Sequence, residues 1–532
     1  MAVLFLNDFS GGLSNKFRQN RIADNESPNL RNARWSRFGA LSKRPGTVRN
    51  LVTSGAGAAI LPIRNLYVHQ ATNNLLILSA LTSGGADIII RTTSIGSYSN
   101  LVTTLANAPH SGEFITLNAF SYFTNGSDDV VSISESLALA TPGGYPKAIF
   151  HATHKNYIFT FNANSTSTYS RLQWSDRNAS TFTSTNFEDI YPNDGAEGAG
   201  IYSFGDELIL FKRHFISGTQ FTYDSSSMYS VVGNIFDATA GQYAIYKIPM
   251  PYGVGLVSHR SIQVLNGRLI FLTNDGFYAY DGGLKQPYPI SEKIRGDIDN
   301  WGFSSLASFN DNPRVSSVVY KNKYYCSMVG NSSLISNADA TPSTPQFNYV
   351  FDGNSWWREL VGIGTDSYGS SGFGALCWAI YNGNLYAGGG DPVGAGGIGI
   401  LRQWEASGFT DTQGDGTTGN VNLSYSTKEY DFPVEQNFTQ CFLHLRRQSS
   451  GTLTFEVNVD QTGVTTYLMD MTTPDTGSTQ TSSSNILRKQ ILIGKHGKTI
   501  QFRFYDSGNN DVEIYAIELH HFNLNTPPVY ST

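Results

Sequence analysis

The sequence predicts an all-β protein, a β-propeller of about seven blades (within six to eight) followed by a C-terminal β-sandwich. Three observations carry that expectation. A strand, a polar or glycine turn and an aliphatic-aromatic strand recur along the chain, with the matching apolar position at Leu75, Tyr122, Tyr157, Leu208, Leu269, Tyr324 and Leu385, spaced 35 to 61 residues apart. A repeat of a few tens of residues built from short antiparallel strands is the signature of propeller blades, which cannot bury both faces alone and stack around an axis to protect one another's edges. The composition agrees, with 53 Gly, 13% aromatic and only 15% charged residues and few helical patterns. Finally, Asn266-Gly267 and Asp275-Gly276 are strong tight-turn signals, because these pairs tolerate positive φ at least cost.

The stretch Arg260 to Gly282 shows the pattern most clearly. Leu269, Phe271 and Thr273 alternate with Arg268, Ile270 and Leu272 between the two turns, so the strand is apolar on both faces and reads as an inner strand of a meander. Length supports two or three domains: a basic N-terminal arm over residues 1–50 with a short helix and a strand, the propeller over 51–415, and the sandwich over 420–532. In the arm, Ser27 and Pro28 carry the cap and first-turn signals of a short helix. Nine basic against three acidic residues give the first fifty a charge of +6, against -6 for the whole chain. Such an arm suits an acidic surface, a neighbouring copy or a phosphate backbone, or pairing with its own body.

Within the propeller, residues 212–254 form a long interval with several tyrosines, the first candidate contact region, since extra length between blade strands becomes loops on one face. Ile290, Ile294, Ile298 and Trp301 lie on one helical stripe, with Ser291 as cap, and such a stripe packs against its own blade. Residues 331–346 read as an exposed hairpin tip or mobile loop. A polar, glycine-rich boundary falls near 410–422, and seven strand-like runs follow it.

At this point the motifs meet a family. Asp8 to Leu13 (DFSGGL), Glu26 to Asn32 (ESPNLRN) and Arg37 to Gly46 (RFGALSKRPG) resemble the amino terminus of the tail tubular, or tail nozzle, proteins of short-tailed bacteriophages. Gly255 to Gly282 and Arg171 to Ser175 are similar to the same group. The resemblance implies a propeller-containing structural virion protein in a homo-oligomeric ring, commonly of six copies, through which the viral genome is ejected without sequence recognition. Portal-adaptor or other tail proteins, with tail fibres as further candidates, would be its partners, and the virion tail its location after synthesis in the host cytoplasm. A weakly acidic bore would keep duplex DNA from sticking. On this reading the contact residues are Phe9, Gly11, Gly12, Leu13, Arg31, Asn32, Arg37, Gly39, Lys43 and Arg44. A receptor-binding or fibre-anchoring propeller and a propeller glycoside hydrolase are the alternatives.

Catalytic signatures are weak. No HExxH, GxSxG, P-loop or dinucleotide-binding motif is present, so no enzyme, cofactor or metal is expected. His151, His154, His259, His520 and His521 lack metal-selecting spacing, and His259 between Ser258 and Ser261 reads as a structural histidine rather than a triad member. Ser175 to Thr181 is distantly similar to the sialidase Asp box but lacks its glycine and tryptophan. Trp356, Trp357 and Tyr368 suit sugar stacking or, more simply, a blade core. Cys326, Cys377 and Cys441 are widely spaced and read as buried thiols in a reducing compartment. The start lacks a basic lead and cleavage site, and no apolar run reaches membrane-spanning length, so a soluble, unprocessed chain without stable membrane insertion is expected.

Overall fold

The computed structural model describes residues 2–36, 39–55, 57–58, 60–80, 87–106, 112–163, 169–192, 194–217, 220–234, 242–299, 315–328, 347–361, 373–391, 398–412, 418–475 and 484–524. Seven four-stranded antiparallel sheets form a propeller. Blade 1 spans Asn65–His69 to Ser97–Leu105, blade 2 Glu113–Leu117 to Leu139–Ala140, and blade 3 Ala148–His154 to Phe187–Asp189. Blade 4 spans Ala196–Phe204 to Gln242–Ile248, blade 5 Gln263–Leu265 to Tyr288–Pro289, and blade 6 Val315–Tyr320 to Trp356–Glu359. Blade 7 takes three strands from Cys377–Tyr381, Asn384–Asp391 and Ile398–Gln403 and its fourth from Val48–Leu51, which pairs with Ile400 to Gln403. The ring is therefore closed by strands from distant parts of the chain.

Local chemistry explains the repeat. Each of the seven apolar anchors named from the sequence sits on the second strand of its blade and is buried. The turn before that strand has positive φ at both central residues in five blades: Asn118-Ala119, Lys155-Asn156, Asn266-Gly267, Lys321-Asn322 and Asn382-Gly383. This is the mirror-image turn whose twist matches the flanking strands. Consecutive residues of the second strands face opposite neighbours. In blade 5, Leu269 and Phe271 pack toward blade 4 while Ile270 and Leu272 join the large cluster shared with blade 6. In blade 1, Leu75 and Ile77 meet blade 7, and Leu76 and Leu78 meet blade 2. Both faces of every such strand leave water, which is why these strands read as continuous apolar runs.

Polar side chains stitch neighbouring blades near the axis. Asn65 donates to the Gly112 carbonyl, Thr124 Oγ1 to Ala148 O at 2.6 Å, Ser316 Oγ to Ala375 O at 2.7 Å and Ser317 Oγ to Arg260 O at 2.8 Å. His154 Nδ1 lies 2.8 Å from Ser203 Oγ of the next blade.

The C-terminal unit is a ten-stranded sheet. Six strands come from Leu423–Ser426, Tyr430–Arg446, Thr452–Val459, Val464–Asp470, Ile486–Asp506 and Glu513–Asn523. The long strand Ile486–Asp506 pairs with Tyr430–Arg446 along its first part and with Thr454–Val459 from Ile500 onward. This change of partner folds the sheet around one apolar core that includes Leu443, Phe455, Phe502 and Leu519. Seven runs were expected beyond the boundary; there are six strands, because 485–493 and 499–505 are one continuous strand.

The other four strands show that residues 1–50 are no unit of their own: the basic arm pairs with its own body, one of the two outcomes its charge allowed. Ala2–Leu6 pairs with Glu513–Asn523, Asn29–Arg31 with Leu423–Ser426, and Leu41–Lys43 with both Ala33–Trp35 and the Glu513 strand. The segment is thus part of the C-terminal sheet, and its continuation closes blade 7. The short helix at Ser27-Pro28 is absent. Glu26–Ser27 and Asn29–Arg31 are strands, and Ser27 Oγ donates to Ser426 O at 2.7 Å instead of capping. The helical signal at 290 is realised as a 3₁₀ turn, Glu292–Ile294, and a helix, Arg295–Asp299, with Ile294 and Ile298 buried against the core as the stripe predicts. Ser291 does not cap it but accepts from Phe277 N at 2.9 Å. Trp301, Tyr368 and residues 331–346 lie outside the described residues.

Candidate functional site

Two places gather polar chemistry: the junction of the N-terminal segment with the propeller and C-terminal sheet, and the propeller axis. At the junction, Arg34 reaches Glu359 at 2.6 Å and Glu405 at 2.7 Å. Glu359 also accepts from the indole N–H groups of Trp357 and Trp404, at 3.0 and 2.9 Å, and Glu405 from Lys321 and Tyr325, each at 2.9 Å. Burial pushes both carboxyls up, but Arg34 and these donors outweigh it. Glu359 is held below its usual range and Glu405 falls to about 2. Arg44 meets Asp411 at 2.5 Å and the Leu360 carbonyl at 2.9 Å, and Lys43 meets Asp506 at 2.6 Å.

The ten residues expected at contacts between subunits are spent largely inside the chain. Phe9 packs edge-on to Tyr425, Leu13 lies in the shared core, and Gly11 N donates to Asn25 O at 3.0 Å. Gly12 has φ of 77°, and a Cβ there would lie 2.6 Å from the Trp356 carbonyl, so glycine is required. Asn32, also at positive φ, donates to the Asn422 carbonyl and accepts from Arg44 and from Leu360 N. The Gly39 carbonyl accepts from Phe9 N, and Arg31 pairs in register with Ser424. Lys43 and Arg44 are buried in ion pairs; Arg37 lies outside the described residues. The physical reason is the long-range pairing of Asn29–Arg31 and Leu41–Lys43 with the C-terminal strands, which turns an apparent arm into an internal seam.

On the axis, a cavity of about 390 Å³ is bounded by residues of all seven blades, from Asn65 in blade 1 to Trp378 in blade 7. Arg260, in the 3₁₀ turn His259–Ser261 that opens blade 5, crosses the ring to donate to the Arg64 carbonyl at 2.9 Å. Its Nε lies 4.0 Å from Glu113 at the start of blade 2. Gln263 donates to the Ser317 carbonyl beside it. His151 borders the cavity with its Nδ1 2.9 Å from the Tyr145 hydroxyl, and burial drives its imidazole down to about 3, so it is neutral at ordinary pH. Glu197, in blade 4, is pushed up to about 7 by burial, partly offset by Arg213.

The residues weighed for catalysis resolve into structure. His259 accepts from Ile201 N at 3.4 Å and packs on Phe150, while Ser261 Oγ donates to the Ser258 carbonyl; no acid completes a triad there among the described contacts. Ser175 Oγ accepts from Ile158 N, and Asp176 takes bonds from Thr183 and Asn186 of the same loop. Trp356 and Trp357 are core residues, and the three cysteines are buried and free. In the 212–254 interval, Tyr229 is buried and stacks on Tyr191, whereas Tyr252 is 86% exposed. Among the described residues, no group of three or more His, Cys, Asp and Glu is placed to hold a metal, and no helix is long and apolar enough to cross a membrane. Sequence reasoning missed Arg260 and Glu113; only the polar run Ser258 to Ser261 before a blade strand marks the first, and nothing in the spacing marks the second.

No protein-family model and no curated protein matches the chain. Among solved structures it is similar to a Trypanosoma rangeli sialidase in complex with sialic acid, at 8% identity and a TM-score of 0.33, over 90% of this chain and 96% of that one. It is also similar to the exo-beta-1,3-galactanase of Phanerochaete chrysosporium with galactose, at 11% identity and a TM-score of 0.24, over 90% and 100% of the two chains. A third is the dihydro-heme d1 dehydrogenase NirN, at 10% identity and a TM-score of 0.32, over 74% and 77%. These likenesses bear on the fold alone. The expectation that the chain is no enzyme is withdrawn, because a propeller fold by itself gives no ground for excluding catalysis; chains titled as a galactanase, a sialidase and a glycoside hydrolase stand among the matches. The chain is an all-β protein with a seven-bladed propeller.

Proposed function

We propose that the chain is a structural subunit of a short-tailed phage tail, acting in a ring of copies at the nozzle. One observation carries this reading. The residues through which the N-terminal resemblance arises are those that lace the propeller to the C-terminal sheet: Gly12 under Trp356, Asn32 between two strands, and Lys43 and Arg44 in buried ion pairs. The similar motifs are therefore framework positions of a two-part architecture rather than interchangeable turns. Subunit and adaptor contacts then fall to the outer surfaces, with the exposed Tyr252 region of blade 4 a candidate. The test is immunogold electron microscopy of particles carrying the chain. Label on a ring at the end of a short tail is expected; label on lateral fibres, or on no particle, would overturn the reading.

A propeller glycoside hydrolase is the second reading, and its support is the concave polar cavity on the axis with the Glu113 carboxylate at its wall. A two-carboxylate mechanism needs a partner acid within about 5 to 10 Å, and among the residues bounding the cavity Glu113 is the one carboxylate. Incubation with β-1,3-galactan and with sialylated glycans tests it: sugar release that is lost in Glu113→Gln would establish hydrolysis at this site, and no release from either would remove the reading.

A further inference from the structure

We propose that the axial cavity is a binding site for a small neutral polyhydroxylated molecule of monosaccharide size. This goes beyond the tail reading and does not depend on it. The cavity lies where loops and strand ends of all seven blades converge, a concave position of the kind that ligand sites favour. At about 390 Å³ it has room for roughly a dozen water-sized groups at about 30 Å³ each, which matches the heavy atoms of a hexose.

Charge selects the class. Arg260 and Glu113 bring one positive and one negative group into the same wall, and His151 adds none at ordinary pH. An anion would meet Glu113 and a cation would meet Arg260, so neither is favoured. An apolar molecule would cover the charged Arg260 and Glu113 wall with no polar group of its own. Hydroxyl groups, each both donor and acceptor, fit such a mixture. They can meet the Arg260 guanidinium, donate to Glu113, and meet the carbonyl end of Gln263, whose amide N–H donates to Ser317 O. Because the site needs no reacting carboxylate pair, binding is separable from hydrolysis.

The experiment is saturation-transfer NMR of the full chain with glucose, galactose, mannose and N-acetylglucosamine, each at millimolar concentration. Transfer to at least one sugar is expected, with affinity falling at least tenfold in Arg260→Met. Because Arg260 also ties blade 5 to blade 1, Gln263→Ala provides a second variant that spares that tie, and a loss of threefold or more is expected. No transfer to any of the four sugars, binding unchanged in both variants, or displacement of the sugar by inorganic phosphate at lower concentration would each overturn the proposal.

Discussion

Replacing Arg34 with methionine tests whether the seam between the N-terminal segment and the propeller is held by charge. The guanidinium bridges Glu359 and Glu405, and Glu359 has no exposed side-chain surface. Removing one partner of a buried pair leaves an uncompensated charge and typically costs about 3 to 5 kcal/mol. Here the lower end applies, because Glu359 keeps two indole N–H donors with Arg44 nearby, and Glu405 keeps Lys321 and Tyr325. The expected loss is about 3 kcal/mol, read as a shift of the urea midpoint at unchanged slope, followed by the fluorescence of the adjacent Trp357 and Trp404. The double variant Arg34→Met with Glu359→Gln should recover part of that loss, because the unpaired charge is gone, leaving a coupling of about 1 to 3 kcal/mol. A single variant that costs less than about 1 kcal/mol, or a pair whose effects simply add, would refute the argument and reduce the cluster to solvent-screened contacts.

Further outcomes follow from the same geometry. Gly46→Ala places a Cβ 1.9 Å from the Thr410 carbonyl and is expected to cost about 2 to 4 kcal/mol, whereas Gly143→Ala meets nothing within 4 Å and should stay within about 0.5 kcal/mol; equal melting temperatures would contradict this. Stability should peak in mildly acid solution. Glu405, depressed to about 2 from 4.5, stabilises fully above 4.5 and loses this as pH falls toward 2, and His151, lowered to about 3 from 6.5, favours the unfolded chain as pH drops below 6.5. Glu197 acts in the opposite sense, since an acid raised to about 7 from 4.5 stabilises below 4.5 and loses this as pH rises through 7. A melting profile with no decline on either side would contradict these assignments. Deleting residues 1–46 spares the Val48–Leu51 strand that closes blade 7 but removes four strands and three buried cations from the C-terminal unit. Limited proteolysis should then spare the propeller and cleave after residue 420; full protection of both would refute the seam.

How much of this was legible depended on the range of the interactions. The blades were readable because their signals are local. A turn such as Asn266-Gly267 and the run Leu269 to Leu272 define a hairpin within a few residues, and all seven anchors fell on equivalent strands. Pairing of the N-terminal segment with its own body was one reading of its charge, but the strand partners were not readable, because Asn29–Arg31 finds its partner at Ser424 to Ser426, and nothing near Ser27-Pro28 records that register. Cap chemistry at Ser27 was real but was redirected to the Ser426 carbonyl. The polar stretch Gly494 to Lys498 separates two of the seven expected runs, yet Lys495 to Gly497 stay paired with Gln436 to Phe438. At the axis, attention fell on His259 because its neighbours are serines, while the residue that spans the ring is the next one, Arg260.

That arginine also constrains where a genome could pass in the proposed ring. Its side chain runs from blade 5 to the Arg64 carbonyl of the blade 1 approach and to Glu113 of blade 2, across a cavity of only about 390 Å³. A DNA duplex, whose minor groove alone is about 6 Å wide and 7.5 Å deep, cannot use a propeller axis tied in this way. Any conduit must therefore lie between copies, walled by outer strands and loops, and the chain's own axis is left for small molecules. The two proposals occupy different surfaces for that reason. Filling the axial cavity by Ser316→Phe should abolish sugar binding and leave ring assembly intact, while a ring that fails with this variant, in a chain that still melts as the parent does, would show that the axis and the assembly surface are coupled.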